Sequence, residues 1–331
     1  NTNNPIKIGL LIQNSSSIEA RNGAEIAVDE VNRTGGLNGK KFELVIKNME
    51  GPWGTGSKQA VDMIFKDEVL AIVGSHDGRN AHLVEQATTK SNVCFVSAWS
   101  GDPTLSQAFT PWFFNCVPNH NQQAERLAEE IIRKRYRNLT LVTDNNYDAR
   151  SAFKSFVNNI LKEGSVNPMT IVLENSDYDL PEICSVITGR NTDCLVLFTE
   201  SEEADKIICG LKEINFSTRV YGSLDLLGES SPLYTYPEVM ENLLQLSSGK
   251  WYLHEKSEFA VKYFNRFNAW PSAAAAYSYD AMKVVLNAVI RARGNRDDVR
   301  EALMSSDITG ATGTIKFDEK GNRISTVGPM Q

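Results

Sequence analysis

The chain has 331 residues, 41% of them hydrophobic and 23% charged, with a formal net charge of −7. That length is comfortable for two domains, and the composition is that of an ordinary globular chain able to build large cores. The negative balance argues against a nucleic-acid partner, whose phosphates need a basic surface, and no apolar run approaches the ~18 residues that span a bilayer.

The opening NTNNPIKIGLL is a polar tail running straight into a strand, IKIGLLI (6–12). It fits a cytosolic protein, or an exported one in mature form. Residues 18–33 read as a helix, with Ala20, Ala24, Ile26, Ala27, Val28 and Val31 on one side. GGLNG (35–39) is a turn and FELVIK (42–47) a strand. A helix (57–67), the strand LAIVGS (70–75), a helix (80–91) and the strand VCFVSA (93–98) follow. Strands alternating with helices predict a parallel sheet covered on both faces, and the near-continuous apolar runs agree.

The plan then repeats. After Cys116-Val117-Pro118 come a helix (120–135), LTLVTD (139–144), a helix (148–163), TIVLEN (170–175) and a helix near 180–189. DCLVLFT (193–199), a helix (202–214) and RVYGS (219–223) complete this second half. Later, LLQLSS (243–248) reads as a strand, and 255–268, 272–293 and 297–305 read as helices. TGTIKFDEKGNR (312–323) reads as a hairpin-like tail turning at Gly321-Asn322. The basic run Arg133-Lys134-Arg135-Tyr136-Arg137 closes a helix, where cations suit the C-terminus and water. The five cysteines show no CxxC. Cys94, Cys194 and Cys209 lie in apolar runs and read as buried thiols, while a Cys184–Cys194 pairing stays open.

In open α/β sheets, ligands bind outside the carboxyl ends of the strands. That singles out Gln13–Ser17, Asn48–Gly56, Ser75–Asn80 and Ala98–Pro103 in the first half. The second half offers Asp144–Asp148, Thr199–Glu202 and Ser223–Leu227. Enzyme signatures are missing from them. GPWGTG (51–56) has the wrong spacing for a dinucleotide turn, and no Walker lysine follows it. No GxSxG elbow occurs. Ser75-His76-Asp77 are sequence neighbours, whereas a triad is assembled from distant positions. His76, His82, His120 and His254 show no metal-ligand spacing. No cofactor, metal or catalytic residue is expected.

The loops do carry aromatics and carboxylates. Trp53, Trp99 and Tyr147 are candidate walls of a small-molecule site. Backbone N–H groups from Ser75 through Gly78 to Asn80 could take an anion. Asp77, Asp102, Glu200, Glu202 and Asp225 bias the loops acidic, which suits a ligand bearing an amine, and Arg79 is the one cation to offset them. Each acid alone also reads as a helix N-cap or a solvated charge.

The stretches RNGAEIAVDEVNRTGGLNGKKFELV (21–45), KQAVDMIFKDEVLAIVG (58–74), SGDPTLSQ (100–107), FFNCVPNHNQQAERLAEEI (113–131), AYSYDAMKVVLNAV (276–289) and TGTIKFDEKGNR resemble, in order, the type I periplasmic solute-binding proteins. The branch is that of the leucine/isoleucine/valine-binding protein of ABC transporters. The resemblance implies two doubly wound parallel-sheet lobes joined by three hinge crossings, near Cys116–Pro118, Ser247–Gly249 and Arg323. Lobe 1 would be 1–117 and 249–323, lobe 2 would be 118–248 and 324–331, and a ligand cleft would lie between them. It implies export with the signal peptide removed, a lipid anchor in some cases, a small-molecule ligand, and a permease or sensor as partner to a monomer.

The ligand pattern departs from that family. Gly78 aligns with a hydroxyl that meets the ligand carboxylate, and Gly101 with a second, a threonine. The Trp99 carbonyl would receive an ammonium group. The aromatic after the first strand is lost in the shortened Gln13–Ser17 loop. Tyr147 keeps the second-lobe tyrosine, and Asp225 is the nearest acid for the ammonium. The expectation is an extracytoplasmic solute-binding protein that closes on an amino-acid-like, amine or aromatic compound, with Trp53, Trp99 and Tyr147 as walls and Asp102 and Asp225 toward a polar or cationic group. The alternatives are a receptor ectodomain or, further off, an enzyme on this scaffold. A transcription-factor effector domain would need a helix-turn-helix, for which NTNNPIKIG leaves no room.

Overall fold

A strand packed between two helix layers must be apolar on both faces, and the strands here are. The computed structural model describes residues 4–108, 110–162, 167–174 and 177–324. In chain order the first elements are β1 (Ile6–Ile12), α1 (Ile18–Arg33), β2 (Phe42–Asn48), α2 (Thr55–Phe65), β3 (Ala71–Ser75), α3 (Gly78–Lys90), β4 (Cys94–Ser97), α4 (Thr104–Gln107) and β5 (Phe113–Asn115). Next come α5 (His120–Lys134), β6 (Leu139–Thr143), α6 (Tyr147–Ile160), β7 (Met169–Val172), α7 (Leu180–Gly189), β8 (Cys194–Phe198), α8 (Ser201–Glu213) and β9 (Arg219–Gly222). The last are α9 (Pro237–Leu243), α10 (Glu258–Phe267), α11 (Ala273–Arg291), α12 (Arg296–Met304), β10 (Ile308–Gly310) and β11 (Gly313–Ile315). No helix among the described residues is long and apolar enough to cross a membrane.

The described residues fall into two compact units, 4–119 with 249–324, and 120–248. The first holds a five-stranded sheet in the order β2-β1-β3-β4-β5, the second a four-stranded sheet in the order β7-β6-β8-β9. Every pairing in both sheets is parallel. Flanked by helices, each is a doubly wound α/β unit, and the strand order reverses beside β1 in one and β6 in the other. Pro118 and Asn119 stay with the first unit rather than the second, since Asn119 Nδ2 donates to Asn322 Oδ1 at 3.3 Å. Ile324 also stays, its N–H donating to the Lys316 carbonyl at 2.8 Å. Residues 325–331 of the expected second-lobe return lie outside the described residues.

In the first unit, α11 packs along α1 and against β3. The helices approach so closely that a Cβ on Gly23 would stand 2.1 Å from the Ala275 carbonyl oxygen. This explains a glycine inside a helix, where it costs about 1 kcal/mol against alanine. Ser278 Oγ closes the seam by donating to the Ala20 carbonyl at 2.6 Å. The tail of this unit turns at Asp318–Gly321 and returns beside β5, where the Asn115 N–H donates to the Gly321 carbonyl and the Arg323 N–H to the Asn115 carbonyl. The Arg323 guanidinium is buried and donates to the carbonyls of Cys116, Thr312 and Thr314. It also donates to Thr312 Oγ1, which in turn donates to the buried Asp280 carboxylate.

Three sequence expectations change. LLQLSS is not a strand: α9 runs to Leu243 and a 3₁₀ turn covers Leu244–Leu246. Pro237 begins that helix, and Val239, Leu243 and Leu246 are buried at helical spacing. Cys209 is exposed, because the buried face of α8 is Ala204, Ile207, Ile208 and Leu211. Cys184 and Cys194 are buried free thiols. The three-residue strand β5 was not anticipated.

Candidate functional site

The strand order in the first unit opens a crevice between the carboxyl ends of β1 and β3, and one hydrogen bond bridges it. The Asp77 N–H donates to Gln13 Oε1 at 2.8 Å. Asp77 is the N-cap of α3, accepting from the Asn80 N–H at 2.9 Å and the Asn80 amide at 2.6 Å. Burial opposes its charge, but these hydrogen bonds outweigh that and hold the carboxyl below its usual range. The anticipated anion nest is thus partly filled: the N–H groups of Asp77, Asn80 and Ala81 all have acceptors within the turn or on Gln13. Ser75 and Gly78 are buried, at the end of β3 and the start of α3. His76 is buried too, its ring stacked on Phe95 at 5.9 Å. The bare face of Gly74 makes room for it, since a Cβ there would meet His76 Nε2 at 2.5 Å. Burial keeps the His76 pKa below its ordinary value, so the imidazole is neutral at neutral pH.

Beside this turn stands Trp53, 72% exposed, on the loop after β2. Gly54, at φ 92°, takes the left-handed conformation that ends this loop, and Thr55 Oγ1 ties it down by donating to the Pro52 carbonyl at 2.7 Å. The guanidinium carbon of Arg79, on the first turn of α3, lies 5.3 Å from the Trp53 ring centroid. Among the described residues, Arg79 has no carboxylate within ion-pair distance. Trp99 is half-buried at the end of β4, and Gly101 is buried in the loop that follows.

Asp102 closes that loop and is buried. Its Oδ1 accepts from the Thr104 N–H at 2.9 Å and Thr104 Oγ1 at 2.7 Å, and its Oδ2 lies 2.9 Å from His82 Nε2. His82 also faces Glu85 at 3.6 Å. Burial pushes the Glu85 carboxyl up, with a hydrogen bond from Thr110 at 2.5 Å opposing it. The His82–Asp102 contact fastens the β4 loop to α3.

The second unit bridges its own crevice, between β6 and β8, with a carboxylate. Asp144 Oδ2 accepts from the Glu200 N–H at 2.7 Å and Oδ1 from the Asn146 N–H at 2.9 Å. Burial nonetheless raises the Asp144 carboxyl above its usual pKa. Asn146 caps α6, accepting from the Asp148 and Ala149 N–H groups, and its amide donates to Glu200 Oε1 at 3.0 Å. Tyr147 opens α6, 37% exposed. Beyond it, Asp225 Oδ2 lies 3.0 Å from His120 Nε2, and His120 Nδ1 lies 2.9 Å from Ser151 Oγ. The His120 side chain is fully enclosed. Burial would raise the Asp225 carboxyl, but His120 outweighs it and holds the group low and ionised.

Within the first unit, Trp53, Ser75, Asp77, Gly78 and Arg79 therefore gather at one strand edge, with Trp99, Gly101 and Asp102 on the next loop. Tyr147, Glu200 and Asp225 sit on strand-edge loops of the second. The sequence places Gln13 and Asn146 in the strand-end loops without a role, and gives no sign of the pairings of His82, His120 and Ser151, whose partners lie up to 105 residues away. Being polar residues at strand ends or helix starts was their only signal. No group of three or more His, Cys, Asp or Glu suited to a metal occurs among the described residues.

A family model described as periplasmic binding protein matches residues 5–330. A leucine-, isoleucine-, valine-, threonine- and alanine-binding protein of Pseudomonas aeruginosa is 21% identical over 309 residues, 91% of this chain and 81% of that one. The fold is similar to that of the branched-chain amino acid transporter substrate-binding protein LivJ of Streptococcus pneumoniae, solved with isoleucine. Its TM-score is 0.78 at 22% identity, covering 97% of this chain and 94% of that one. It is equally similar to an ABC-transporter solute-binding protein of R. palustris solved with benzoate, with a TM-score of 0.81 at 16% identity over 97% and 91% of the two chains. These relatives are substrate-binding proteins and not enzymes, and the chain belongs to the periplasmic binding protein family, with the type I fold of its leucine/isoleucine/valine-binding branch.

Proposed function

We propose that this protein captures a small ligand at its strand-edge loops, outside the cytoplasm and by lobe closure, and hands it to the permease of an ABC transporter. The observation that carries the reading is the exposed, loop-borne Trp53 beside the β3–α3 turn, in a chain whose family model spans residues 5–330. An indole 72% exposed to water contributes little to folding. Aromatic walls with a few placed polar groups are instead what a small-molecule site uses. The ligands bound in two similar structures, isoleucine and benzoate, support a ligand of amino-acid or aromatic size.

A thermal-shift screen over amino acids, aromatic acids, amines and small carboxylates tests this. A ligand at about 100 times its Kd adds roughly 2.7 kcal/mol to native stability. Small-angle scattering with and without the best ligand should show a smaller radius of gyration when it is bound. A screen in which no compound moves the melting temperature would overturn the reading.

A further inference from the structure

We infer that the ligand is an aromatic carboxylate with no required ammonium group, and that Arg79, held over Trp53, is its anchor; this rests on the binding reading above. Each of the five carboxylates singled out for a cationic ligand is engaged inside its own unit, Glu202 by accepting from Ser201 Oγ at 3.1 Å. Asp77 is capped by Asn80, Asp102 is held by His82 and Thr104, Glu200 by Asn146, and Asp225 by His120. Asp102 and Asp225 each face an imidazole nitrogen, at 2.9 and 3.0 Å.

Arg79 is the opposite case. A guanidinium has five N–H donors in a planar fork that matches a carboxylate. Among the described residues, the Arg79 guanidinium meets one side chain, the Trp53 ring, 5.3 Å from its centroid. Stacking fixes the plane of the cation without using its donors. It also restrains a side chain that would otherwise lose rotamer freedom on binding. The neighbouring turn reinforces the choice of sign. Gly78 offers no hydroxyl there, and a carboxylate arriving at α3 meets the Arg79 guanidinium on the first helical turn. The aromatic part of the ligand follows from the same loops: Trp53 is exposed and Trp99 half-buried at adjacent strand ends. A planar ring matches indole faces.

The experiment is isothermal titration of the full chain with benzoate, benzylamine and leucine at neutral pH. The variants are R79Q and W53A, with R33Q, at the far end of α1, as a charge control. The expected result is that benzoate binds and benzylamine does not. R79Q should weaken benzoate by about 10- to 100-fold, as loss of a charge-assisted pair does. W53A should weaken it by about 3- to 10-fold. R33Q should change nothing, and apo melting temperatures should stay together. Benzoate binding that R79Q leaves unchanged would overturn the anchor. Tighter binding of benzylamine, or leucine binding indifferent to R79Q, would overturn the ligand class while leaving the solute-binding reading in place. Silence from all three ligands and from the wider screen would overturn both.

Discussion

The two sheets present the same crevice and fill it differently. In the first unit a neutral amide, Gln13, accepts the bridging N–H, and in the second a carboxylate, Asp144, does so. The buried histidines differ in the same way. His76 lies against Phe95 with no acid on its ring and stays neutral, while His120 is locked between Ser151 and the ionised Asp225. The second unit's edge is a closed polar network. The first unit's edge keeps a cation and an indole uncommitted.

That contrast can be broken most forcefully at His120. H120A leaves Asp225 without its partner, and unit-two stability in urea should drop by about 3–5 kcal/mol, as for other half-removed buried pairs; H120Q should recover part of it. A loss under 1 kcal/mol would mean the network is not structural. The crevice bridges come next. D144A should cost about 1–3 kcal/mol and Q13A about 0.5–1.5 kcal/mol, because hydrogen bonds to charged groups are the stronger ones. Equal effects would erase the difference between the edges.

The pH profiles separate the units further. His76 has a depressed folded pKa, so the unfolded chain binds its proton first. Stability should fall as pH drops below about 6.5, the unfolded value, towards the folded one, and H76F should remove that slope in melts between pH 7.5 and 5. Asp225 has a lowered folded pKa. Its contribution is present above about 3.9 and lost as pH falls through the folded value, and D225N should flatten the profile there. The smallest effect belongs to the uncommitted pair. R79Q and W53A should each change stability by less than about 0.5–1 kcal/mol, since an exposed cation–π contact contributes no more.

Most of the fold was legible because it rests on local pattern. The buried strand cores and the apolar side of α1 follow from periodicity alone, and α1 and α7 fall where the sequence places them. β5 was missed because three residues carry no period, and α9 was misread because a short apolar run fits either period. The site was legible only as a set of positions. That Trp53, Arg79 and Asp225 stand at strand ends can be read from the order of elements. That Asp102 belongs to His82 and Asp225 to His120 cannot, because those pairings span 20 and 105 residues and depend on which loops the sheet brings together.

The return of the tail beside β5 has a consequence for how the chain is made. Among the described residues, the second unit is one continuous stretch that ends at Ser248. The first needs α11 against α1 and Arg323 against Cys116. At about 5–20 residues per second, some 200 residues of synthesis separate residue 119 from Arg323, a wait of roughly 10–40 s. Through that interval the first unit has all five strands but lacks α11, which packs along α1 and against β3. A newborn chain therefore passes through a long stage in which chaperones can still hold its first unit unfolded.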